Sequence, residues 1–413
     1  MNSYTQLFRT GGEGAFRAFR HRNFRLFTAG QLASLIGTWA QRLAVGWLAW
    51  DLTQSAFWVG AVSFAGLFPG VIAGPLAGSI ADSMSRFRLL KITQTAFLLQ
   101  AIVLAAVTIS GSINLPLLLT LETTLALITA FDIPTRQAFV IELVGKEDLA
   151  NAIAINSTMV NIARMIGPVI AGIIIVSFDI GEAFLFNAFT YLAVLVSLAF
   201  LRLDERSPDR RTQPLGSHML DGLLYSWRER KIRTYLLLFF VMALFGMPYG
   251  TLMPVVAEAR YGMGAGGLAW LVAASGFGAT IGAFLLATRK STLGLSKNIF
   301  FAASGFGSSL IIFALIDNFT LAVLFIPVCG FGMMMQMAGN NILLQTNVDE
   351  AQRGRVMSML SMSFQLAMPL GSLWMGTVAD RFGVPVPFFI GGALCLLAVG
   401  ILALLSRRHH LPH

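Results

Sequence analysis

The sequence predicts an all-α integral membrane protein, with twelve transmembrane helices in two pseudo-symmetric six-helix bundles. Three observations predict it. Of 413 residues, 56% are hydrophobic and only 12% charged, well below the ~25% charged share of soluble domains. The apolar residues gather into twelve runs of spanning length with one long polar break. The runs on either side of that break carry a faint internal echo. This composition excludes a water-soluble enzyme and a disordered chain.

A helix crossing the ~30 Å hydrocarbon core needs about 20 apolar residues. The runs are 24–50, 57–81, 89–110, 115–139, 151–177 and 182–202, then 233–257, 266–287, 298–316, 319–345, 356–379 and 385–405. Residues 1–23 form a basic segment, 203–232 a polar linker and 406–413 a tail. The first run continues too far for a cleavable leader. With the N-terminus cytoplasmic, 25 of the 29 Lys and Arg fall in cytoplasmic segments, and the opposite face keeps Arg260 and Arg381. That asymmetry orients the chain with both termini inside. It also accounts for the net charge of +9 without nucleic acid. Cys329 and Cys395 lie in apolar runs and read as small buried hydrophobes. The histidines (21, 218, 409, 410 and 413) fall outside the spans, and no metal site or cofactor is expected.

Sliding the chain by 204 residues superposes Gly167 on Gly371 and Gly172 on Gly376. The same shift sets Ser157 on Ser361, Asn161 on Gln365 and Ala163 on Ala367. It also sets Asp132, Arg136 and Gln137 against Gln336, Asn340 and Asn341. Small and polar positions that coincide together point to duplication, a known route to a substrate site between two halves.

The loop after the second run reads Gly78-Ser-Ile-Ala-Asp82-Ser-Met-Ser-Arg86-Phe-Arg88. It resembles the loop signature of the major facilitator superfamily at Gly78, Ala81, Asp82, Arg86 and Arg88, and departs from it at Ser83, Ser85 and Phe87. The resemblance implies the major facilitator fold. Gly78 would then permit close helix approach, while Asp82, Arg86 and Arg88 would form a cytoplasmic gate. In the fifth run Gly167-Pro168-Val-Ile-Ala171-Gly172 looks like the tail of the superfamily's exporter motif, with Ala171 replacing a glycine. There Pro168 and the small residues would give a bending point. Three stretches, 24–53, 131–137 and 341–376, resemble the branch containing enterobactin exporters and macrolide-efflux permeases.

Four charges fall well inside the spans: Arg42, Glu122, Asp132 and Arg164. Ionised groups facing lipid cost several kcal/mol, so these should face a cavity or one another. Depth along the helices pairs Arg42 with Glu122, and Asp132 with Arg164 or with Arg136 one turn away. Helices 1, 4, 7 and 10 line the central cavity in the superfamily, which would place Arg42, Glu122 and Asp132 on its wall. Helical spacing adds Gln31 and Thr38 on the first run and Ser157 and Asn161 on the fifth. It also adds Gln336 and Asn340, beside Asn341, on the tenth, and Ser358, Met362 and Gln365 on the eleventh. Trp39, Trp47, Tyr249 and Met333 are further lining candidates.

Burial favours a neutral carboxyl, whereas an adjacent guanidinium favours the ionised one. Opening and re-forming such a pair would take up and expel a proton, with Glu122 the first choice and Asp132 the second. The expected protein is a monomeric secondary active exporter of a small amphipathic molecule, a drug or siderophore, in the bacterial inner membrane. Protons are the expected coupling ion. Uptake, or flipping of a lysolipid, by the same fold is the alternative. ATP-driven pumping would need a phosphate loop, and no G-x-x-x-x-G-K-[ST] occurs. A membrane enzyme would need clustered Asp or His at one face, and the sequence has none.

Overall fold

Peptide groups in hydrocarbon must find hydrogen-bond partners within the protein, and apolar runs of this length meet that demand as helices. The computed structural model describes residues 16–202, 225, 227–288 and 295–407. Among them the chain is helical, without a strand. The helices are α1 (Arg22–Thr53), α2 in two pieces (Ala56–Ala65 and Phe68–Ser83), α3 (Arg86–Ile109), α4 (Leu115–Val144), α5 (Leu149–Ser177) and α6 (Ile180–Ala199). They continue with α7 (Arg230–Arg260), α8 (Gly264–Ala287), α9 (Leu295–Ala314), α10 (Phe319–Asn347), α11 (Glu350–Phe382) and α12 (Pro385–Arg407). Ten of these, all but α1 and α9, are long and apolar enough to cross a membrane. α1 has the length, at 32 residues, but Gln31, Ser34, Thr38, Gln41 and Arg42 interrupt its apolar run. α9 offers a shorter apolar stretch, Asn298–Ala314.

Several helices overrun the apolar runs, because a hydrogen-bonded ladder extends easily into polar flanks until a residue stops it. Gly145 (φ 71°) stops α4 and Gly383 (φ 97°) stops α11. Both adopt a positive φ that a side chain would strain. Asn114 caps α4 by accepting from the Leu117 amide at 3.0 Å, and Asn318 caps α10 from the Leu321 amide at 3.1 Å. Most of the polar linker 203–232 lies outside the described residues.

Two discontinuities interrupt the helical ladder. The α2 run, expected as one helix, breaks at Gly66-Leu67, and its second piece restarts with Pro69 in the first turn, where a missing N–H costs nothing. α7 widens to π-helix at Met242–Gly246, tightens to 3-10 over Met247–Leu252 and widens again at Val256–Arg260. Pro248 and Pro254 remove two rungs of its ladder. By contrast α5 runs unbroken through Pro168.

Helices α1–α6 pack as one group and α7–α12 as another, and the groups meet chiefly along α2 with α11 and α5 with α8. At the end of the bundle where α1 finishes, called the far end below, this seam is tight. A Cβ on Gly60 would strike the Ser372 carbonyl, and one on Gly376 would lie 2.5 Å from the Ala56 carbonyl. Gly172 abuts Ala269 in the same manner. Ser55 Oγ donates to Asp380 Oδ1 at 2.9 Å, and Ser63 Oγ to Ser372 Oγ at 3.3 Å. Toward the other, near end Ser157 and Thr158 of α5 and Ser358 and Gln365 of α11 are exposed, and a Cβ on Gly74, Gly78 or Gly354 would meet nothing within 4 Å.

Candidate functional site

The first group is held together inside by amides. Asn187 Nδ2 donates to Gln41 Oε1 at 2.6 Å, and Gln41 Nε2 donates to Gln100 Oε1 at 3.3 Å. Thr190 Oγ1 bonds Asn187 Oδ1 at 2.9 Å. α1, α3 and α6 are thus pinned by polar groups that apolar surroundings would otherwise leave unpaired. Sequence reading missed this network: each amide is visible as a polar residue in an apolar run, but its partner lies 59 or 146 residues away.

Arg42 and Arg164 approach one ring. Their guanidinium carbons stand 5.0 and 4.9 Å from the Trp39 centroid, the geometry of a cation–π contact on each. Gly167 makes this possible, since a Cβ there would meet Trp39 Cβ at 2.6 Å and the Ile36 carbonyl at 2.7 Å. Arg42 is exposed, yet Glu122 of α4 and Tyr191 of α6 lie within its electrostatic range. Tyr249 of α7, in the second group, lies within range of Arg164 and shares a 2.5 Å hydrogen bond with Ser275 of α8.

Several expected placements need correction. Arg42 and Glu122 form no ion pair within 4.0 Å; instead Glu122 is buried, with Oε2 against the α2 break and Oε1 unpartnered. Asp132 does not face the cavity or Arg164. The face of α4 that carries it turns toward α3, where Thr93 Oγ1 and Gln94 Nε2 donate to Oδ1 at 2.9 and 2.8 Å. Its charge partner is Arg136, at 3.6 Å. Gln336 and Asn340 are fully buried rather than cavity-lining, and Asn340 Nδ2 donates to the Tyr235 carbonyl at 3.1 Å. Gln31 is also buried, with its oxygen unpartnered.

The remaining positions are mixed. Thr38 Oγ1 pairs with the Tyr191 hydroxyl at 3.3 Å. Asn161 is half-buried and bonds the Ser157 carbonyl, whereas Gln365 and Asn341 are exposed, Asn341 bonding Gln345. Pro168 and Gly172 are buried beside Gly167. In the near-end loop Arg86 Nη1 reaches Glu142 Oε1 of α4 at 2.7 Å, so this arginine pairs within its own group rather than across a gate. Arg88 is exposed, the Asp82 side chain lies outside the described residues, and a Cβ on Gly78 would meet nothing within 4 Å, so Gly78 makes no close helix approach here. Among the described residues no cluster of His, Cys, Asp or Glu could hold a metal ion, and both cysteines are buried and free.

Apolar spanning helices in two groups that meet at one end define a membrane transporter of the major facilitator type. Solved structures agree on the fold. The nucleoside transporter NupG superposes with a TM-score of 0.73 at 12% identity, covering 93% of this chain and 99% of that one. A bacterial homolog of the human lysosomal transporter Spinster, solved inward-facing and unoccupied, gives 0.71 at 14% over 95% and 98%. The chain belongs to the transmembrane secretion effector family, which matches residues 13–412. The staphyloferrin A transporter of Staphylococcus aureus is 26% identical over 93% of this chain and 96% of its own length. The multidrug efflux pump Tap of Mycolicibacterium fortuitum is 24% identical over 89% and 91%. The enterobactin exporter EntS of Escherichia coli O81 is 26% identical over 64% and 62%.

Proposed function

We propose that this transporter is a proton-coupled exporter of a small amphipathic molecule, working by alternating access as a monomer in the bacterial inner membrane. α1 and α9 complete twelve crossings, and the near end, with both chain ends, is cytoplasmic. The observation that carries this reading is the seam between the two groups, tight at the far end, with exposed polar side chains on α5 and α11 toward the near end. That arrangement corresponds to one of the two states alternating access requires. Paired contacts support two related halves. Gly167 on α5 abuts α1, and Gly371 on α11, 204 residues later, abuts Leu244 of α7. Gly172 abuts α8, and Gly376 abuts α2.

Relatives that handle siderophores, drugs and macrolides support a small, amphipathic cargo. Glu122 is the proposed proton site. It is buried and unpaired, it senses Arg42 without touching it, and it rests against the α2 break, where helix movement would change its surroundings. The test is purified protein in liposomes under an imposed pH gradient, with a macrolide and staphyloferrin A offered from either side. Gradient-driven flux out of the face carrying the termini is expected, and it should vanish in Glu122→Gln while binding persists. Flux equal to that of protein-free liposomes overturns the reading, and flux in the opposite direction makes the protein an uptake carrier.

A further inference from the structure

Arg42 and Arg164 are unbalanced charges. Among the described residues no carboxylate lies within 4.0 Å of either guanidinium, since Asp132 is taken by Arg136 and Glu122 stands off. Arg164 Nε and Nη1 are buried without a hydrogen-bond partner. The two cations also act on one another unfavourably. A buried guanidinium without an acceptor is costly, and two sharing one aromatic ring invite an anion with more than one acidic group. The planar fork of each arginine fits a carboxylate by two parallel hydrogen bonds.

We propose that Arg42 and Arg164, flanking Trp39, form a head-group site for a small molecule bearing two carboxylates, a substrate class that rests on the transport reading above. Tyr249 and Ser275 approach the same place from the second half. The anion therefore bridges the two halves, and its charge offsets the repulsion between the two guanidinium groups. Trp39 fixes the spacing of the two forks, and Gly167 fixes Trp39.

The test is calorimetric titration of the full-length protein in lipid nanodiscs with phenylsuccinate, an amphipathic dianion, and with its neutral dimethyl ester. The diacid should bind at least tenfold more tightly than the diester. Arg42→Gln and Arg164→Gln should each weaken the diacid tenfold or more and leave the diester unchanged. Arg42→Lys and Arg164→Lys keep the charge but lose the fork, so they should fall between, and they replace any Gln variant that fails to give a cooperative thermal transition. Equal affinity for diacid and diester, unchanged affinity in the variants, or no binding at millimolar phenylsuccinate overturns the proposal. Because binding is read without a gradient, such a failure leaves the transport reading to the liposome assay.

Discussion

The carboxylate of Glu122 rests against Gly66, the residue at which α2 breaks: a Cβ built there would lie 2.8 Å from Glu122 Oε2. A helix interruption and a buried acid from another helix thus share one space, so movement of either α2 piece changes what surrounds the acid. Gly66→Ala should push the carboxylate aside. The displaced atom ends a flexible side chain, so the stability change should sit at the low end of the about 1–3 kcal/mol typical of overpacking. The pH dependence of transport should shift while the thermal midpoint barely moves. An unchanged pH profile would separate Glu122 from the break.

The far-end seam depends on absent side chains. Gly376→Val would drive a branched side chain into the Ala56 carbonyl and the Gly60 Cα, which lie 2.5 and 3.2 Å from a built Cβ. Overpacking of this kind typically costs about 1–3 kcal/mol, and opening the seam relieves it. Cross-linking between Ser55→Cys and Asp380→Cys, whose parent side chains touch at 2.9 Å, should be efficient in the parent and several-fold weaker with Gly376→Val. Undiminished cross-linking would show that the seam accommodates the side chain.

Much of the scaffold was legible because hydrocarbon imposes one-dimensional rules. Run length needs no knowledge of neighbours, and ten of the twelve expected runs became spanning helices by length and hydropathy. Gly167, Gly172, Gly371 and Gly376, picked out by the 204-residue shift, are each sites of close helix approach, where a Cβ would not fit. Depth arithmetic served less well. It fixes how far along an axis Asp132 lies but not which way it points, and rotation about the helix axis carried that side chain to Thr93 and Gln94. The α2 break was half-visible in Gly66, Pro69 and Gly70, and the α7 distortions in Pro248 and Pro254. Trp39 was visible only as a lining candidate, since its meeting with two arginines from different helices is a property of packing.

Asp132 should behave as a structural charge. Asp132→Ala removes the acceptor of Thr93 and Gln94 and unpairs the half-buried Arg136, so it should cost less than the about 3–5 kcal/mol typical of breaking a fully buried pair. Asp132→Asn keeps an acceptor and should cost less. In a thermal-unfolding series the order of stability should be parent, Asn, Ala. Transport per folded molecule in the Asn variant should stay near the parent's. A parent-like melting curve for Asp132→Ala, with transport abolished, would return Asp132 to the coupling machinery.

At the near end Asp148 ties the segment before α1 to the start of α5, hydrogen-bonded to His21 Nε2 at 2.9 Å and ion-paired with Arg17 Nη2 at 3.0 Å. The hydrogen bond from His21, against a smaller opposing effect of burial and with help from Arg17, holds the Asp148 carboxyl below its usual value of 3.8. A carboxyl with a depressed folded pKa stabilises the clasp fully above the unfolded pKa, and that contribution is lost as pH falls through the folded value. Asp148→Asn should therefore speed hydrogen exchange at residues 17–21 at neutral pH, where the parent is protected. The difference should close as the pH drops below the folded pKa, because the parent's carboxyl is by then neutral as well. The contacts are partly solvent-exposed and should weaken with added salt. Exchange rates equal in parent and variant at pH 7 would remove Asp148 from the clasp and leave the bond from the Ala18 amide to Asn151 Oδ1, at 2.9 Å, to hold the segment.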